Sequence, residues 1–307
     1  MATSATRKRG VSMKYFPGKR SLRCLIFLST FLLFGHALAW GQSTLWKGIL
    51  NGKTLYLMGS IHVLQASHYP LPVAMESAFA DSDLIVFEID QRELENAASK
   101  ELVVTKGLYQ GGETLEKNLA HSTFQALKDH LAGLKLPIAI FQPMKPAYCA
   151  LVITMMEFER QGFEARYGLD QYFADKALRH NKKIAALESA EFQINLLFDL
   201  AKKDQEKFLK QTLLEVDTFA KESDRMSQAW ERGESEKLHE IMTASFQEFP
   251  DLYEKLIVTR NKTWQPQIEH LVDQHRTVLV VVGAGHLVGP HSVLKLLEKQ
   301  GYTFSQL

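Results

Sequence analysis

Cysteine is almost absent from this chain of 307 residues. Of its two cysteines, Cys24 lies in an N-terminal segment that reads as a removable leader, which leaves Cys149 alone. A lone cysteine cannot form an internal disulfide, so the mature chain is not a disulfide scaffold. Cys149 sits in the apolar helical pattern Ala147-Tyr148-Cys149-Ala150-Leu151 and reads as a small core residue rather than a nucleophile. An excess of charge is also missing. There are 36 basic against 35 acidic residues, for a formal net charge of +1, and this excludes a nucleic-acid partner held by bulk electrostatics. No apolar run beyond the leader is long enough to cross a bilayer. The stretch from Ala147 is closed by Glu157 and Glu159, well short of the ~20 residues a span requires. Neither His-Glu-x-x-His nor Gly-x-Ser-x-Gly occurs, so serine hydrolase chemistry has no support. Gly283-Ala284-Gly285 through Gly289 follows a strand, as a dinucleotide loop does. Its glycine spacing is off by one, and no second βα unit follows to supply a ribose-binding acid; a nucleotide cofactor is excluded.

The leader itself is well marked. Arg7, Lys8, Arg9, Lys14, Lys19, Arg20 and Arg23 form a basic region, and Cys24 to Leu38 is mostly apolar and carries no charge. Ala37-Leu38-Ala39 then fits a small-x-small cleavage site. Residues 1–41 are therefore expected to be a secretory signal peptide cut before Trp40 or before Gln42, with the chain periplasmic or secreted. The alternative is an uncleaved anchor in the inner membrane. The body lies outside in either case, and the membrane is met only through this segment.

What is present is a repeated strand ending. Thr54 to Met58 runs into Gly59-Ser60-Ile61-His62, and Val278 to Val282 runs into Gly283-Ala284-Gly285-His286. Open α/β sheets place ligands at the carboxyl ends of their strands. A glycine there lets the chain turn sharply and aim a histidine into the crevice. The apolar run Leu84 to Phe87 delivers Glu88 in the same way, and Lys183 to Leu187 delivers Glu188. Two histidines and a carboxylate can bind a divalent metal with open positions, or do acid/base work without one. Glu188 reads either as a partner for a histidine or as a solvated strand end. Arg260, with Asn261 beside it just before a helix from Trp264, can bind a substrate carboxylate, hold a site acid by paired hydrogen bonds, or form a structural salt bridge. Asp170 opens a helix and is expected to cap it.

The fold expected is α/β, with a central mixed sheet built from two related βαβ-like halves. Residues 44–307 would form one domain, interrupted by a helical insertion over about 92–165 and a charged helical segment over about 190–260. Asn51-Gly52 between two strand runs predicts a tight hairpin. The last unit reads helix, strand, helix, with Pro290 at the first position of the final helix and Gly301 at its C-cap.

These residues carry a resemblance. The segments LYLMGSIHVLQASHYPLP, DSDLIVFEID, YGLDQYF, LESAEFQ, the TRN of 259–261 and VVVGAGHLVGPHSVLKLLEKQGY resemble the TraB/GumN family, which includes the Tiki proteins. The resemblance covers about Leu45 to the C-terminus. It implies a fold akin to the erythromycin esterase/ChaN group. From the Tiki branch it implies a protease dependent on manganese or cobalt, acting on a peptide or protein substrate, with His62, Glu88 and His286 as metal or catalytic residues. The function expected is therefore an exported metal-dependent hydrolase, most simply a peptidase. A metal-independent hydrolase, or a non-catalytic periplasmic binding protein for peptide, metal or haem, stands as the alternative.

N-terminal sequencing of protein from the exported fraction should begin near Trp40 or Gln42. A first residue near Met1 would favour the anchor.

Overall fold

The computed structural model describes residues 42–307 except 201 and 217, so the leader and Cys24 lie outside the described residues. Among the described residues six strands form one mixed sheet: β1 (Leu45–Leu50), β2 (Lys53–Ser60), β3 (Leu84–Phe87), β4 (Lys183–Ala186), β5 (Thr277–Gly283) and β6 (Thr303–Gln306), in the order β4-β3-β5-β2-β1-β6. Strands β2, β5, β3 and β4 are mutually parallel, while β1 runs against both β2 and β6. The architecture is α/β with large helical insertions, as expected. Asn51 (φ 50°) and Gly52 (φ 74°) turn the β1–β2 hairpin with both residues in the left-handed region, which is the geometry an Asn-Gly pair supplies.

Register then fixes the chemistry. Ser60 of β2 pairs with Gly283 of β5, and Phe87 of β3 pairs with both Val281 of β5 and Ala186 of β4. The carboxyl ends of four neighbouring strands therefore finish along one edge. The chain leaving each strand there carries His62, Glu88, Glu188 or His286. Strand β5 is buried on both faces from Val278 to Val282, which accounts for its unbroken apolar run.

The helical insertions have a packing centre of their own. Leu115, Phe124, Leu127 and Leu131 meet Cys149 and Ile153 of the helix Pro146–Arg160, together with Leu209 of the helix Lys202–Glu215. Burial pushes the Cys149 thiol up to about 12, so it is a packing group there. Among the described residues no helix is long and apolar enough to cross a membrane.

Three local expectations are corrected. The sixth strand was not anticipated: Thr303–Gln306 is short and polar at every position but Phe304, and β1 recruits it as a sheet edge. The last helix begins at Val293, three residues after Pro290, because the Ser292 hydroxyl accepts the Lys295 N–H at 3.2 Å and caps it. Its C-cap is Lys299 rather than Gly301, which follows with φ 97°.

Ile85 is fully buried in the middle of β3. Ile85→Ala should lower unfolding free energy by roughly 2–5 kcal/mol, read as a fall in urea midpoint with unchanged slope.

Candidate active site

Strand β2 ends at Ser60, and two residues later His62 stands at the mouth of the site with 68% of its side chain exposed. Its Nδ1 is held by Asp170 Oδ2 at 2.8 Å, while Ser60 Oγ donates to Asp170 Oδ1 at 2.5 Å. A carboxylate only accepts, so Nδ1 carries the hydrogen and Nε2 faces outward. Asp170 does not cap its helix. The helix Leu169–Arg179 has Gly168 at its N-cap, and Asp170 lies inside the first turn with its side chain turned to β2. Gly168 makes this contact possible. A Cβ there would lie 2.1 Å from the His62 carbonyl oxygen, and the Leu169 N–H donates to Ile61 O at 3.1 Å. The Asp170 carboxylate raises the His62 pKa above its ordinary 6.5. The water on its exposed face screens that attraction in part.

His286 is the opposite case. It ends the short 3-10 turn Ala284–His286 after β5 and is almost fully buried. The Asn261 amide donates to the carbonyls of His291 (2.8 Å) and His286 (3.4 Å), which leaves Oδ1 to accept from His286 Nδ1 at 2.6 Å. The ring is thereby fixed with a lone pair on Nε2, and Arg260 Nη1 donates to it at 3.1 Å. Burial pushes the His286 pKa down to about 3. Arg260 and His62 act in the same direction against Glu88, so the ring is neutral at physiological pH.

Glu88, just past β3, is buried and ionised. Burial alone would raise its pKa. Charged His286, Arg260, His62 and the Gly283 N–H outweigh that and hold it at about 2. Because His286 is itself neutral at physiological pH, Arg260 is the charge that matters most there. Glu88 Oε1 accepts from Gly283 N at 2.7 Å, and Oε2 accepts from Arg260 Nη2 at 2.6 Å and from Gln193 Nε2 at 3.2 Å.

Glu188 lies behind this layer. It accepts from Arg260 Nε (3.0 Å) and Nη2 (2.8 Å), from Trp264 Nε1 (2.8 Å) and from Gln193 Nε2 (3.0 Å). Arg260 and Asn261 are within the helix Thr259–Gln274, not before it as expected. The π-helical turn Glu254–Val258 precedes them, and its Leu256 carbonyl accepts Arg260 Nη1 at 3.0 Å. Every N–H of Arg260 thus has a partner inside the chain. Asp170 and Gln193 are the site residues that sequence reasoning missed. Both lie within the quoted family segments YGLDQYF and LESAEFQ, and that was the signal available.

The glycines of the two Gly-x-x-His segments have a different use from the one expected. None of Gly59, Gly283 and Gly285 has positive φ. They allow close approach. A Cβ on Gly59 would stand 3.2 Å from Ala284, and one on Gly285 would stand 2.1 Å from Met242 Cε. A Cβ on Gly283 would stand 3.1 Å from Glu88 Oε1, 3.6 Å from His286 Cδ2 and 3.8 Å from His62 Nε2. Three side chains from three strand ends therefore face the small space above one glycine.

The donors suit a divalent ion in kind. Two imidazoles have their other nitrogens held by Asp170 and Asn261, the partner arrangement of metal-binding histidines, and a buried anionic carboxylate lies beside them. They are not aligned as ligands. His286 shows the common space a ring carbon, because its Nε2 is turned to Arg260. Among the described residues, no three His, Cys, Asp or Glu side chains are disposed to hold a metal.

Comparison with known proteins supplies the family. A model described as the TraB/PrgY/gumN family matches residues 44–306, so the chain belongs to that family. It is 24% identical over 248 residues to the uncharacterized protein YbaP of Escherichia coli K12, covering 81% of this chain and 89% of that one. It is 24% identical over 314 residues to Metalloprotease TIKI1 of Danio rerio, covering 85% of this chain and 62% of the relative, and 24% identical over 302 residues to Metalloprotease TIKI2 of the same fish, covering 80% and 57%. The chain thus spans about three fifths of the length of these two metalloproteases. No solved structure matches it.

Asp170→Asn should return the His62 pKa toward 6.5, measured by NMR titration of the ring in metal-stripped protein. An unchanged midpoint would show that Asp170 does not govern this imidazole.

Proposed function

We propose that this chain is an exported hydrolase of peptide bonds that works with a divalent ion, manganese or cobalt, held by His62, His286 and Glu88. The observation that carries the reading is the meeting of His62, Glu88 and His286 above Gly283, with both histidines oriented through Nδ1. Relatives named as metalloproteases support both the reaction class and the need for an ion. When bound, such an ion would acidify water and polarise the scissile carbonyl.

The chain's own residues have separable tasks in this reading. His62 stands at the mouth, and its exposed Nε2 is the donor that meets solvent and substrate first. Asp170 and Ser60 keep that ring from swinging away. Asn261 performs the same service for His286, whose burial keeps it neutral and able to donate a lone pair. Glu88 supplies negative charge that burial would otherwise suppress. The open exposure of His62 suits a peptide approaching from outside the sheet edge.

A metal-free mechanism, with His62 as general base oriented by Asp170, is the weaker reading because it gives no task to His286, the second imidazole held through Nδ1. A binding role without turnover predicts no hydrolysis at all.

The test is a peptide-library assay of the purified mature protein, with and without Mn²⁺, followed by variants. His62→Ala and His286→Ala should each lower metal-stimulated turnover by about 100-fold or more while unfolding transitions stay cooperative. Glu88→Gln should lose metal content and turnover together; metal retained while turnover collapses would make Glu88 the general base instead. Full activity in His62→Ala, or after stringent metal removal, would overturn the metallohydrolase reading.

A further inference from the structure

Arg260 is the charged side chain at the centre of the site to which the proposed reaction gives no task. Its contacts fall into two sets. Nη2 donates to Glu88 Oε2 at 2.6 Å, and Nη1 donates to His286 Nε2 at 3.1 Å. Those two acceptors belong to residues that an ion in this site would need. The second set lies away from them: Nε and Nη2 reach Glu188, Nη1 reaches the Leu256 carbonyl, and the guanidinium stacks 4.7 Å from the Trp264 ring. The second set alone gives the guanidinium an anion, a carbonyl and an aromatic face.

A guanidinium present only to neutralise two glutamates would gain little from a neutral imidazole nitrogen. Here it takes up the one lone pair that Asn261 leaves free on His286. Arginine keeps its proton in proteins, so it cannot share that lone pair with a metal, and in a buried site two neighbouring cations repel strongly. The side chains of Arg260, Glu88 and Glu188 are each 10% exposed or less, so water does little to screen the conflict.

We infer that Arg260 competes with a divalent ion for Glu88 and His286, and that Glu188 is the carboxylate that retains the guanidinium when it yields them. This rests on the reading of the site as a metal site. Arg260 then sets the affinity for the ion. It keeps Glu88 neutralised without a metal and makes metal binding depend on a shift between two partner sets.

The two carboxylate contacts allow variants of opposite sign. Metal-free protein is titrated with MnCl₂, and free Mn²⁺ is followed by electron paramagnetic resonance. Arg260→Met removes the competitor but keeps an apolar stem against Trp264, and should bind Mn²⁺ about 10- to 100-fold more tightly than the unaltered protein. Glu188→Gln keeps the shape and one of the two accepting oxygens but loses the charge that draws Arg260 away, so Mn²⁺ binding should weaken about tenfold. If Arg260 merely props the site, both variants lose affinity together. Equal or weaker binding by a folded Arg260→Met overturns the inference. Should that variant not fold, unchanged or tighter binding by Glu188→Gln overturns it equally. Mn²⁺ binding by the unaltered protein with the wrong order among variants removes this inference alone. No binding of Mn²⁺ or Co²⁺ by any of the three removes the metal reading and this inference with it.

Discussion

A guanidinium buried between two carboxylates is the constraint on which the site depends. Removing one partner from such a cluster leaves an uncompensated buried charge, at a cost of about 3–5 kcal/mol. Glu88 and Glu188 leave neighbouring parallel strands, and Arg260, 172 residues after Glu88, enters from the helix Thr259–Gln274. The ion pairs therefore tie the sheet edge to that helix. They also explain why two acids can be tolerated side by side: Gln193 bridges them, Trp264 donates to one, and the Gly283 backbone donates to the other. Three carboxylates, Asp170, Glu88 and Glu188, face Arg260 and a histidine whose charge depends on Asp170. The cluster is thus net negative even with His62 protonated, which suits it to an incoming cation.

Close approach is the second requirement, and it is met by glycines through their size. Gly168 lets the helix carrying Asp170 rest on the backbone of His62, and Gly59 lets the end of β2 lie against Ala284. Gly283 leaves room for the three side chains that face it. The two Gly-x-x-His segments are alike in sequence but not in environment. One histidine leaves its strand through an irregular turn into solvent, and the other is carried inward by a 3-10 turn under Trp264, with ring centroids 4.3 Å apart. Their unequal burial makes one a ring that is readily protonated and the other a ring held neutral.

Much of this was legible before the fold. Unbroken apolar runs announced β3 and β5 as buried parallel strands, and the residues after them announced Glu88 and His286. Asn51-Gly52 announced the hairpin that carries His62. What was not legible depends on partners distant in the chain. Asp170 has the local signature of a helix start, and only its packing against a residue 108 positions earlier reveals it as the partner of His62. Arg260 was read with three possible roles, because sequence does not say whether a guanidinium meets a ligand or an internal acid. Strand β6 escaped because four residues with a single apolar member, Phe304, carry little periodicity, and the edge of β1 specifies them instead. Pro290 and Gly301 suited a helix start and stop, but the Ser292 hydroxyl was the stronger cap.

The central claim is that the strand ends build one cation site whose donors Arg260 shares. A crystal structure of the mature protein grown with Mn²⁺, with an anomalous difference map at the manganese edge, tests it most directly. The account predicts a peak bound by His62 Nε2, His286 Nε2 and Glu88, with Arg260 withdrawn from Glu88 and kept on Glu188. No peak above Gly283, with His62 and His286 more than about 10 Å apart and out of joint reach of one ion, would contradict it.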